Sequence, residues 1–134
     1  MKFHQIFYLH RFNSSKGSLS VQRLVEQVGI NVCQLDYESY AKYDDNFQSL
    51  CLETKENLMQ DKSLMFIGNS LGGFYVGMLA LYFSSPVILI NPVIEPLKDL
   101  QRVLKKTHEP SLYDFSLEVV ASYLKKLEIS KSKY

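Results

Sequence analysis

Three short runs of this chain are apolar at every position instead of at alternate ones: Ile6-Phe7-Tyr8-Leu9, Leu64-Met65-Phe66-Ile67 and Val87-Ile88-Leu89-Ile90. A fourth, Ile30 to Leu35, is mostly so. Strands of this kind are covered on both faces, which is the condition of a parallel sheet held between helices. Helical spacing fills the intervals. Val21, Leu24, Val25 and Val28 recur along one face and stop at Gly29, and Phe47, Leu50, Cys51, Thr54 and Leu58 do the same after Asp44 or Asp45 as N-cap. Gly72 to Phe83 is apolar on nearly every side, so a buried helix is expected there. The expected fold is α/β: one domain over 1–134, with a parallel sheet of about four strands in the order second, first, third, fourth and helices on both faces. Two more helical patterns follow Pro92. Leu97, Leu100, Val103 and Leu104 form one, with Pro96 in its first turn; Leu117, Val120, Leu124 and Leu127 form the other, opened by Ser111 and Asp114.

Charge narrows the functional classes. Fifteen Lys and Arg stand against fourteen Asp and Glu, a formal net charge of +1, so no excess is available to hold nucleic acid or an anionic membrane. The basic stretch Lys125 to Lys133 reads as a solvated helix end and tail. No run approaches the roughly 18 apolar residues of a membrane span, and a cytoplasmic protein is expected. Cys33 and Cys51 are too far apart for a metal-binding pair and read as small buried hydrophobes. No metal-ligand spacing and no phosphate-cradling loop is present, so neither metal nor cofactor is expected.

Chemistry concentrates at Gly68-Asn69-Ser70-Leu71-Gly72-Gly73, which contains G-x-S-x-G. The pattern alone is weak, arising by chance about once in twenty chains of this length. Its context is more telling, because it follows an apolar strand and opens a buried helix, the arrangement of a nucleophile elbow. Such a turn holds the serine in a strained conformation at the strand's C-terminal edge. Gly68 and Gly72 are needed where backbone comes too close for a Cβ, and the Leu71 N–H at the helix N-terminus faces a developing oxyanion. A glycine-rich strand–helix turn with an N-cap serine and no chemistry is the alternative.

The stretch Tyr8-Leu9-His10-Arg11-Phe12-Asn13-Ser14-Ser15 resembles the YLHGFxSS signature of the small YqiA-type esterases in the α/β-hydrolase superfamily. Gly68 to Tyr75 resembles that family's elbow, with Gly73 as a further motif position, and Leu89-Ile90-Asn91-Pro92 with Pro96 resembles its LINPxxxP strand end. The resemblance implies a three-layer α/β-hydrolase-like sandwich and an ester hydrolase with a Ser/Asp/His triad. Ser70 would be the nucleophile, the N–H groups of Phe12 and Leu71 the oxyanion hole, and His10 a shaper of the loop. The implied substrate is a small short- or medium-chain acyl ester.

Two departures qualify this. Arg11 stands where the family has glycine, and the family's last strands, which carry the triad Asp and His, have no counterpart before Tyr134. The chain therefore reads as the N-terminal two-thirds of the family fold, an esterase of impaired activity. The alternative is a non-catalytic remnant or binding module. A flavodoxin-like nucleotide binder shares the pattern but needs a phosphate loop after the first strand. Among the histidines, His4 lies at the wrong end of its strand and His108 reads as solvent-exposed. Asp36 is expected to cap a turn, and Tyr37, Tyr40 and Tyr43 to form a partly exposed packing ledge or a substrate mouth. With no strand beyond it, the edge 87–90 is expected to self-associate, to be covered by a helix over 112–127, or to limit solubility.

Overall fold

A computed structural model describes residues 4–29, 32–96 and 98–99. Strands and helices alternate: β1 (His4–Leu9), α1 (Leu19–Val28), β2 (Cys33–Leu35), α2 (Tyr43–Asn57), β3 (Ser63–Asn69), α3 (Leu71–Phe83) and β4 (Val87–Ile90). All strand pairs are parallel, as the apolar runs indicate, and the order is β2-β1-β3-β4, the order expected. The second strand is shorter than expected, and Ile30 and Asn31 lie outside the described residues. Beyond Pro96 only Lys98 and Asp99 are described; both are helical, with the Asp99 N–H donating to the Glu95 carbonyl at 3.2 Å, as expected of the first terminal helical pattern. The rest of the two terminal patterns, His108 and the basic tail lie outside the described residues.

The two faces of β1 explain why its apolar run is unbroken. Phe7 and Leu9 point into a core shared with Leu35, Phe66 and the buried side chains of α2 and α3, including Leu50, Tyr75 and Leu79. Ile6 and Tyr8 point the other way, where they meet Ile67 and the α1 residue Val21, with Leu24 and Val25 packed alongside. Helices therefore cover both faces of the sheet. α1 ends where expected: Gly29 adopts the left-handed conformation, and its N–H donates to the Val25 carbonyl at 2.8 Å.

α2 departs from expectation at its start. Neither Asp44 nor Asp45 is the N-cap; that position is Lys42, with no side-chain capping bond, and both aspartates sit in the first turn, where the helix dipole favours them. Tyr43 and Asn46 join Leu50 and Thr54 on the buried stripe, so of the three tyrosines only Tyr40, which is half-buried, fits the expected partly exposed ledge. Tyr43 is 1% exposed and stacks on Tyr75 with centroids 5.3 Å apart, while Tyr37 is also buried. Cys33 and Cys51 are half-buried at the rim of the core, not within it, and burial still raises both thiols above their ordinary pKa. α3 is buried from Leu71 to Val76, but Leu81 and Tyr82 near its end are exposed. On β4, Ile88, Leu89 and Ile90 are all exposed. Among the described residues no helix is long and apolar enough to cross a membrane.

Candidate active site

The sharp passage from β3 into α3 is made at Ser70, whose backbone has φ 56° and ψ −119°. This region is costly for a residue with a Cβ, about 1–3 kcal/mol, and persists only when its surroundings over-determine it. They do so here. The Ser70 N–H donates to the Ile90 carbonyl at 3.0 Å, tying the turn to the end of β4. Its carbonyl accepts from the N–H groups of Gly73 at 3.0 Å, Phe74 at 3.3 Å and Val93 at 3.0 Å. The Asn-Pro segment after β4 thus braces the elbow from outside: Asn91 turns the chain with φ 44°, Pro92 packs on Gly73 and Val93 bonds to Ser70.

The glycines around Ser70 follow from close approach. A Cβ at Gly68 would lie 2.3 Å from Val76 Cγ2 and 2.6 Å from the Gly72 carbonyl oxygen. At Gly72 it would lie 2.2 Å from the His10 carbonyl oxygen and 2.6 Å from that of Leu9. The first turn of α3 is therefore pressed directly against the end of β1. Gly73 is less constrained, with Pro92 at 3.2 Å. Ser70 is half-buried, and its hydroxyl makes no hydrogen bond to a described residue. The Leu71 N–H, first in α3, is likewise without a described acceptor.

The loop after β1 brings His10, Arg11 and Phe12 to the same sheet edge. His10 is 1% exposed. Its Nε2 lies 2.5 Å from Asp36 Oδ1, its Nδ1 lies 2.9 Å from the Arg11 carbonyl oxygen, and its ring stacks on Tyr37 with centroids 4.5 Å apart. Asp36 is not the turn cap expected: its Oδ1 accepts the adjacent Tyr37 N–H at 3.0 Å, and the turn that follows is closed by the Ala41 N–H on the Glu38 carbonyl; the bond to His10 is what engages its carboxylate. The signal for it lies in the strand register: Leu9 pairs with Leu35, so the residues that follow them emerge side by side. Phe12 is half-buried against Tyr40, edge to face, and the Asn13 N–H donates to Ser39 Oγ at 2.9 Å. Arg11 is exposed, and its side chain does not enter the core.

His4 sits at the opposite end of β1, where Nδ1 meets Ser63 Oγ at 2.8 Å. Neither described histidine is therefore arranged as a base for Ser70: one is remote and the other has both ring nitrogens engaged. Among the described residues no three His, Cys, Asp or Glu side chains converge as a metal-binding group. An open cleft of about 360 Å³ adjoins the bracing segment, lined by Pro92, Ile94, Glu95, Lys98 and Asp99. A family model described as an uncharacterised protein family, UPF0227, matches residues 5–134 and so takes in the loop, the elbow and the brace together.

Proposed function

The chain belongs to the uncharacterised protein family UPF0227, and on that footing we propose that it is a serine-dependent hydrolase of short or medium acyl esters acting through an acyl-Ser70 intermediate. The observation that carries this reading is the backbone of Ser70. A turn with no chemistry to perform would be more stable with glycine at φ 56°, because glycine reaches that region without strain. A serine held there by four backbone hydrogen bonds, at a helix N-terminus and with a hydroxyl that no described residue engages, is an arrangement suited to nucleophilic attack.

In the proposed reaction Ser70 Oγ attacks the ester carbonyl carbon as its proton passes to a base. The carbonyl oxygen becomes an oxyanion facing the N–H groups of Leu71 and Phe12. Collapse expels the alcohol, which leaves with that proton. Water then attacks the acyl carbon, the acid departs and Ser70 regains its hydrogen. The base comes from outside the described residues or from a second chain. Without one, turnover falls by about 10⁶, with about 10³–10⁴ over the uncatalysed rate surviving from the oxyanion hole and binding.

A second reading, a binding module that keeps the elbow without turnover, is favoured by His10, whose ring nitrogens are committed to Asp36 and Arg11. Intact-mass measurement after fluorophosphonate treatment separates the two. The hydrolase reading expects one adduct on the wild-type chain and none on Ser70→Ala. Folded wild-type protein that takes up no adduct would assign the elbow to the binding module.

A further inference from the structure

The peptide unit joining Arg11 to Phe12 contains both the Arg11 carbonyl and the Phe12 N–H, and its planarity makes them point in opposite directions. Whatever fixes the carbonyl therefore aims the N–H. Two groups converge on that carbonyl: His10 Nδ1 at 2.9 Å and the Ser14 N–H at 3.1 Å. A carbonyl oxygen only accepts, so Nδ1 must carry the proton in this contact. The His10 ring is in turn held by Asp36 Oδ1 on Nε2 and by the stacked face of Tyr37. Asp36 is itself fixed through the Tyr37 N–H. The His10 backbone is wedged against Gly72, two residues beyond Ser70.

We propose that Asp36 is a positioning residue that, acting through the His10 ring and the Arg11 carbonyl, aims the Phe12 N–H at the mouth of the Ser70 elbow. The catalytic consequence rests on the hydrolase reading given above; the orientation of the Phe12 peptide does not. The rest of the 36–40 segment serves the same loop. Ser39 Oγ accepts the Asn13 N–H, the Tyr40 hydroxyl donates to Asn13 Oδ1, and the Tyr40 ring meets Phe12 edge-on. One segment thus holds residues 10–13 along their length, and Asn13 is kept in the left-handed region at φ 59°. The donor that matters is not built by the loop's own sequence but by the turn that follows the neighbouring strand.

The test compares Asp36→Ala with Asp36→Asn in the full chain. Asparagine still offers an oxygen to the Tyr37 N–H and an amide that accepts from or donates to Nε2, so the Nδ1 proton stays on the Arg11 carbonyl. Alanine removes both contacts. In ¹⁵N–¹H spectra, the His10 Nδ1–H and Phe12 amide resonances are expected near their wild-type positions in Asp36→Asn and displaced or lost in Asp36→Ala. With a fluorophosphonate, the maximal inactivation rate is expected to fall about 10- to 100-fold in Asp36→Ala, as for an ångström-scale misplacement of a catalytic group, with the half-saturating concentration unchanged. The Asp36→Asn rate is expected to stay close to wild type. A folded Asp36→Ala that keeps both resonances, or keeps the full inactivation rate, overturns the proposal. If the wild-type chain is not labelled at all, the hydrolase reading falls, and the two resonances alone decide whether Asp36 aims the peptide.

Discussion

Gly72→Ala tests the closest approach in the site. The added methyl would sit 2.2 Å from the His10 carbonyl oxygen and 2.6 Å from the Leu9 carbonyl oxygen. Real Cβ atoms essentially never come within 3.0 Å, so the end of β1 and the start of α3 must part by about 0.8 Å. Both obstacles are backbone, and no side chain can rotate to relieve them. Overpacking of this kind costs about 3 kcal/mol at the upper end of its usual range, against which alanine's helical advantage returns up to about 1 kcal/mol. The net expectation is about 2 kcal/mol of destabilisation, or a Tm lower by roughly 8 °C for a chain of this size. Gly77→Ala in the same helix is the internal control, because nothing lies within 4 Å of the position its methyl would take and the expected effect is a stabilisation of about 0.5–1 kcal/mol. The chain has no tryptophan, so urea unfolding followed by far-ultraviolet circular dichroism is the suitable assay. Equal midpoints for Gly72→Ala and Gly77→Ala would refute the argument that β1 and α3 are in backbone contact.

Other perturbations read different parts of the structure. Ser70→Gly should raise stability by about 1 kcal/mol by relieving the positive-φ strain, while abolishing any fluorophosphonate adduct; an unchanged denaturation midpoint would mean the turn is not strained. Asn46→Leu removes the amide that bonds to the Glu38 carbonyl at 2.8 Å, the Glu38 N–H at 3.1 Å and the Tyr75 hydroxyl at 3.0 Å, and should cost about 3 kcal/mol in urea unfolding. The raised pKa of Cys33 and Cys51 means the folded chain holds those protons more tightly than the unfolded one. Their contribution to stability is thus full below the ordinary thiol pKa and is lost as pH rises through the raised one. Alkylation of the folded chain at mildly alkaline pH should accordingly be slower than that of the urea-unfolded chain, and equal rates would contradict the burial. Ile88→Lys, on the exposed β4, should reduce light scattering in concentrated samples if that edge drives association, and leave it unchanged if the edge is covered.

The parts of this protein legible in its sequence are those whose causes are local. The apolar run at Ile6–Leu9 forms β1 because a strand buried on both faces needs side chains that are apolar in both directions. Gly29 closes α1 because only a residue without a Cβ enters the left-handed cap freely. The elbow at Ser70 is visible because the strand, the glycines and the first turn of the helix follow one another without interruption in the sequence. The brace from Val93, the wedge of Gly72 under the His10 carbonyl and the burial of Tyr43 against Tyr75 are not visible in this way. Each joins residues that the chain separates widely and that only the sheet order β2-β1-β3-β4 places together. The bond from Asp36 to His10 shows the division best. Each residue by itself is an ordinary polar group after a short strand, and neither one's neighbours in sequence announce a partner. The parallel register of Leu9 with Leu35 sets them side by side, and burial of the ring then makes a hydrogen-bonded partner obligatory.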